Sequence, residues 1–527
     1  MIIVLRNEPP DLIDSASSRN SISPAMFGAG LLEIDDRDEP YPVLAEAAPQ
    51  LNSDTWRVFP DGKMETTYRL REGLTWHDGT PFTAEDMVFA QRVNAARMDW
   101  GLSVSAISPV EHRAIESVTA PDPRTVVFRW KQPYANAEAP ELRPVARHIL
   151  EATLDAGQPE LLGANPYWTR EYVGVGPYKL VKWEPGAYIE ATAFDRFALG
   201  KPEIERVRVT WSGDPNTIVA RLLSGDAHVT LDRSIYAQEA VMLRQEWVAK
   251  GAGVVQSSPG WIRFLATQHR PDFANPASVL DVRVRQAIAH AIDRKDVADA
   301  MLQGEGMPAD TIVPPTASLY EPISRAVRMY PYDLRRTEQL MADVGYVKSG
   351  DGFYTSATLG TFSPEVLGIA EGDEGRETTI VADLLRRVNV DSRLRLVPTV
   401  LMEDNDEMKA TYPAFRTNQT SPNASLSAER MLGSRAATPA NRWSGTNKMG
   451  WSNAEHDRLF DAWSKALDRD ERSGILMQIA RVTSEELPYI PLYFAPDVLA
   501  HSADITGPKT RGLQTTRHAN IYGWSWR

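Results

Sequence analysis

At 527 residues the chain is far longer than the roughly 100–200 of one typical domain, so two or three packed units are expected. Its 43% hydrophobic and 24% charged residues exclude wholesale disorder and collagen-like repeats. A net charge of -13 argues against a nucleic-acid surface, and the absence of cysteine excludes disulfides, thiolate metal sites and cysteine nucleophiles. No run approaches the roughly 18 apolar residues that span a bilayer, and Met1–Arg6 is too short for a secretory h-region, so any export signal is expected to have been removed.

In chain order, Met64 to Arg71 alternates, with Met64, Thr66, Tyr68 and Leu70 on one side, which predicts a half-buried strand. Thr83 stands at an N-cap position with Glu85 and Asp86 in the following turn, so a helix starts there. Alternation returns at Val207, Val209 and Trp211. From Val284, the positions Ile288, Ala291 and Ile292 follow helical spacing, and Asp293 with Asp296 begins a second helix that Gly304 is expected to close. Leu394 and Leu396, flanked by arginines, read as another strand. Leu459, Phe460, Trp463 and Leu467, then Ile475, Leu476, Ile479 and Val482 up to Pro488, predict a helical hairpin. Tyr489 to Phe494 reads as a short buried strand leading into a turn-rich tail. Strands and helices interleave throughout, so the class is mixed α/β. The 37 prolines and 33 glycines are spread along the chain, which predicts packed domains without a flexible tether.

Signatures of catalysis are missing. There is no Gly-x-Ser-x-Gly elbow, no Walker loop and no complete Gly-x-Gly-x-x-Gly; in the fragments at Gly174 and Gly251, Lys179 and Gln256 occupy the sixth position. The nine histidines nowhere show the i, i+4 pair of a helical zinc site, so neither a metal nor a cofactor is expected. His77-Asp78-Gly79 reads as turn chemistry. Asn418-Gln419-Thr420 and Asn423-Ala424-Ser425 match glycosylation sequons but read as plain loop residues.

One segment does carry a signature. Tyr68-Arg69-Leu70-Arg71-Glu72-Gly73-Leu74-Thr75-Trp76-His77-Asp78-Gly79-Thr80-Pro81-Phe82-Thr83-Ala84-Glu85-Asp86 resembles the signature of family 5 extracellular solute-binding proteins. Further stretches resemble the same family in the same order: Gly174-Val175-Gly176-Pro177-Tyr178, Trp183-Glu184-Pro185-Gly186, Asp281 to Arg294, Tyr332 to Tyr346, Trp451-Ser452-Asn453 and Leu487 to Leu492.

The resemblance implies a two-lobed, periplasmic-binding-protein-like fold of type II, in the large peptide-binding class, with an extra domain inserted in the first lobe. On it, residues 1–32, 170–266 and 494–527 form lobe 1, residues 33–169 the insert and residues 267–493 lobe 2. It also implies the substrate-binding component of an ABC importer: a periplasmic or extracellular monomer that is not an enzyme, with a small-molecule or oligomeric solute and permease membrane subunits as partners. Ligand would touch both lobes and favour their closed arrangement. A sensor without transport is the alternative within the same fold.

By position in the family, the ligand-binding residues expected are Ser18, Arg19 and Asn20 near the N-terminus, Phe264 and Thr267 on a crossing strand, and Arg416, Asn418, Gln419 and Thr420 in the second lobe; Trp443 is expected at a rim, as an aromatic platform for a sugar. Peptide-binding relatives carry Trp-x-x-Asp, whose aspartate pairs with the peptide amino terminus; the region Arg416 to Asn423 has neither residue type. Without that charge-assisted partner, an oligosaccharide or other polar neutral cargo is preferred, with di- or oligopeptides as the alternative.

Overall fold

The computed structural model describes residues 1–13, 23–35, 39–102, 109–231, 234–304, 306–403, 405–509 and 520–527. The chain divides into two compact units, the first being Met1–Ser258, Ser464–Leu467 and Asp497–Arg527, the second Pro259–Trp463 and Asp468–Pro496. Two strands, Gly253–Thr267 and Tyr489–Ser502, each contain a boundary between units. No described helix is long and apolar enough to cross a membrane.

In the first unit the strand Ile2–Leu5 pairs in parallel with Arg206–Trp211 and with Val229–Thr230. Tyr188–Ala193 and Tyr178–Glu184 extend the sheet antiparallel on one side, and Ala500 and His501 pair with Val229–Thr230 on the other. Ile3 and Leu5 enter one core, whereas Val4 enters a second with Ile218, Leu222 and Leu243. The side-chain period of two thus buries this short apolar strand on both faces. A separate antiparallel sheet takes the order Trp56–Val58, Met64–Arg69, Thr125–Trp130, Ile115–Asp122. Met64, Thr66 and Tyr68 face its core, as the alternation predicts.

The helix Ala84–Asp99 starts directly after Thr83, whose N–H donates to the Asp86 carboxylate at 2.9 Å. His77 is buried, its Nδ1 accepting from Gly174 N–H at 3.1 Å and its Nε2 lying 3.0 Å from the Gly176 carbonyl. That strand, turn and helix are therefore tied to the Gly-Val-Gly-Pro segment. A Cβ on Gly176 would lie 2.4 Å from the Phe27 carbonyl carbon and 2.5 Å from Gly28 N, so the close backbone approach requires glycine.

The second unit holds a sheet in which Arg393–Val397 and Phe415–Thr420 flank Glu365–Ile369 in parallel, and Phe415–Thr420 pairs antiparallel with residues 262–267. Val366, Leu367 and Phe415 are fully buried, as are Val381 and Leu385 of the helix Gly372–Arg387. Gly368 lets this helix approach the sheet, since a Cβ there would meet Thr378 Oγ1 at 1.9 Å. Leu394 and Leu396 are each 37% exposed, because their strand forms the sheet edge.

The helices Val282–Ala291 and Arg294–Leu302 are capped by the side chains of Asp281 and Asp293. The second ends one residue earlier than expected: Gln303 already takes the left-handed conformation, at φ 52°. The hairpin consists of Ala454–Lys465 and Arg469–Glu486. The strand that follows runs to Ser502 and not to a tail after Phe494, carried on by the buried residues Val498 to Ala500.

Candidate functional site

Alternation along two paired strands of the second unit creates a wall. Phe264 lies opposite Asn418, and Ala266 opposite Arg416, so these four side chains share one face with Thr420. The intervening residues turn toward the helix Gly372–Arg387, where Thr417 Oγ1 lies 2.7 Å from Thr378 Oγ1 and Arg263 meets Glu377. The wall backs a concave space of about 550 Å³, open to solvent.

Three further segments complete it. Asn423 caps the short helix Ala424–Arg430, accepting from Ser425 and Leu426 N–H at 3.0 and 3.1 Å, and so presents Ser427 and Arg430 at i, i+3 spacing. A loop brings Thr446, Lys448 and Met449. It is held by fully buried Asn447, whose amide donates to the carbonyls of Met431, Leu432 and Trp451 at 3.0, 3.2 and 2.7 Å. Arg270 clamps the same loop, donating to the carbonyls of Lys448, Ala437 and Ala410 at 2.7, 2.8 and 3.0 Å. Tyr489 and Tyr412 also line the space, the Tyr489 ring 5.3 Å from that of Phe264. The Tyr412 hydroxyl donates to the Thr267 carbonyl at 3.1 Å.

Charge is distributed unevenly. Behind the wall, the Arg263 guanidinium meets both carboxylate oxygens of fully buried Glu377 at 2.8 Å, and Tyr493 donates to the same carboxylate. Burial alone would lower the Arg263 pKa, but the Glu377 charge outweighs it and holds the cation above its ordinary value. Arg263 also donates to the Gln419 side-chain carbonyl at 2.8 Å, which leaves the Gln419 amide N–H groups uncommitted to it.

Arg416, on the pocket face, is only 8% exposed and, among the described residues, donates to the Lys409 carbonyl alone, at 3.2 Å. Burial pulls its pKa below the ordinary arginine value. Lys448 is also pulled down by burial, opposed by Asp406 at 2.9 Å. Arg430 is exposed, with one hydrogen bond to Thr420 Oγ1 at 3.2 Å. Among the described lining residues there is no Asp, Glu or His. The surface offers donors, aromatic faces and positive charge, and no acid–base pair.

Residues 40–435 match the profile of the bacterial extracellular solute-binding proteins, family 5 (Middle). The chain belongs to that family. A Brucella ovis relative named as an ABC transporter peptide-binding protein is 28% identical over 321 residues, 59% of this chain and 55% of that protein. This family 5 chain therefore spans about half the length of the first curated relatives it matches. HbpA2 from Haemophilus parasuis shares the fold at TM-score 0.77 and 20% identity, covering 100% of this chain and 99% of that one. An oligopeptide-binding protein from Thermus thermophilus, complexed with a pentapeptide, does so at TM-score 0.73 and 22% identity, covering 100% and 96%. The fold is thus the two-lobed, mixed α/β fold of family 5 binding proteins.

Of the residues expected at the site, the structure brings together Phe264, Arg416, Asn418, Gln419 and Thr420. Asn418 to Thr420, read from sequence as loop, end a strand. Thr267 is fully buried, its hydroxyl directed at the Leu487 and Pro488 carbonyls at 2.9 and 3.0 Å, and does not line the space. Trp443 packs edge-on against Phe273 at 6.0 Å; its carbonyl accepts from Lys448, while its ring is not part of the lining. Ser18, Arg19 and Asn20 lie outside the described residues. Tyr489, Tyr412, Met431, Lys448 and Arg430 line the space without having been singled out by sequence. For Arg430 a signal existed in Asn423 as a cap, with Ser427 and Arg430 on one helical face.

Proposed function

We propose that this chain is the solute-capturing component of an ATP-driven import system, acting in the periplasm or at the cell exterior and delivering its cargo to permease subunits. The reading rests on family membership together with the solvent-open space of the second unit, where hydrogen-bonding side chains face paired aromatic rings. A polar solute in this space meets amide and hydroxyl groups at Asn418, Gln419, Thr420 and Thr446. Those groups suit hydroxyl-rich cargo. A peptide is the second reading, favoured by the Brucella relative's name and by the pentapeptide in the Thermus complex.

Thermal unfolding of the purified protein against oligosaccharides, organic acids and di- to pentapeptides tests this. A ligand at a hundredfold excess over its dissociation constant stabilises the fold by about 2.7 kcal/mol. The expected result is a raised midpoint with one class of compound, recovered chemically unchanged. Chemical conversion of the stabilising compound contradicts the capture reading, as does a midpoint unmoved by every class.

A further inference from the structure

We infer that the solute held in the second unit carries an oxyanion, a carboxylate or a phosphate ester, bound by Arg416 within the pocket and assisted by Arg430 and Lys448. This rests on the reading of that space as the capture site, and it narrows the cargo from polar solutes in general to organic acids.

The observation that carries it is the state of Arg416. The other described buried arginines are satisfied by the protein itself. Arg263 has Glu377, and Arg285 donates to the Glu486, Val279 and Leu280 carbonyls at 2.9, 3.1 and 2.8 Å. Arg294 donates to the Pro491 and Tyr330 carbonyls at 3.0 and 2.7 Å. Arg416, more than nine-tenths buried, has five N–H donors and meets one acceptor, at 3.2 Å. No described carboxylate lies within ion-pair distance of it or of Arg430. Among the described residues, Lys448 alone of the three cations on the lining has a carboxylate within ion-pair distance.

Glu374 and Asp406 act on Arg416 only from beyond ion-pair distance, so burial still dominates its cost, and a hydroxyl or amide ligand satisfies donors without balancing charge. An oxyanion does both, and the planar guanidinium fork matches its geometry. The same surface repels an ammonium group, since no lining residue is acidic. Phe264, Tyr489, Met431 and Met449 supply an apolar flank for an organic body beside the acid group, which favours an organic acid over a bare inorganic ion.

The test incubates the intact protein with the low-molecular-weight fraction of yeast extract, removes unbound material, and identifies the compounds released on denaturation by mass spectrometry. Each compound is then titrated against wild type, Arg416→Gln and Arg430→Gln, beside its amide or dephosphorylated derivative. Release of carboxylates or of phosphate esters is expected, and which of the two appears identifies the group. Affinity should fall about tenfold or more in Arg416→Gln and in the uncharged derivative, and several-fold in Arg430→Gln. If Arg416→Gln does not fold, the exposed Arg430 variant and the derivative decide: weaker binding supports the inference and unchanged binding overturns it. Release of only neutral or cationic compounds overturns it while leaving solute capture standing. Release of nothing overturns both.

Discussion

Arg263 and Arg416 stand on paired strands of one sheet, point to opposite faces, and settle their charge differently. Glu377 fixes Arg263 from within the fold, so neutralising it leaves the buried guanidinium with only the more exposed Glu374 among the described carboxylates, at 3.3 Å. Glu377→Gln should therefore destabilise the protein by about 3–5 kcal/mol, whereas Arg263→Met combined with Glu377→Leu should cost less than either single change. Urea denaturation of Glu377→Gln, of the two single changes and of the double variant measures this. His77 makes a second case. Burial, opposed in part by its hydrogen bond to Gly176, lowers its pKa from 6.5 to about 4, so the folded state holds it neutral. Between those values the unfolded chain binds more protons than the folded one, and stability rises with pH. The contribution, about 3 kcal/mol, is present above pH 6.5 and lost as pH falls through 4. His77→Gln should lower stability at neutral pH and flatten this dependence, read from urea midpoints across that range.

Elements show why some features are legible in sequence and others are not. Strands such as Met64–Arg69 and Arg206–Trp211 follow from alternation because one face packs on a core, with Val207 and Val209 at most 1% exposed. The same pattern at Leu394 and Leu396 gives the strand but not its burial, since nothing local marks a sheet edge. Tyr489 to Phe494 reads as a short strand, yet the strand continues to Ser502 because its later residues are buried and Ala500 and His501 pair with another strand. At the site, Phe264, Arg416, Asn418, Gln419 and Thr420 were reachable from the family pattern. Tyr489, Lys448 and Met449 were not, because contacts far apart in sequence place them: Arg270 with the 437–448 carbonyls, and Asn447 with Met431 and Leu432. Asn447→Ala removes the amide from three buried carbonyls, so a stability loss of about 1–3 kcal/mol or more is expected, with weaker ligand binding by titration calorimetry. Gly176→Ala drives a methyl into the Phe27–Gly28 backbone and should cost at least about 1–3 kcal/mol, read as a lowered thermal midpoint.

For the whole molecule, length and composition indicate more than one unit, and the motif series indicates the family, because a signature of strand, turn and capped helix is also a local structural instruction. The proposed cargo rests on what one wall of the second unit leaves unpaired among the described residues, which no local pattern contains. If the pocket of this unit holds the captured solute, amide hydrogen exchange with and without the captured compound will show it. Slowed exchange is expected in Phe415–Thr420, in residues 427–431 and in residues 446–449. Binding that leaves those three segments unchanged, with protection confined to other parts of the chain, would contradict that placement of the solute.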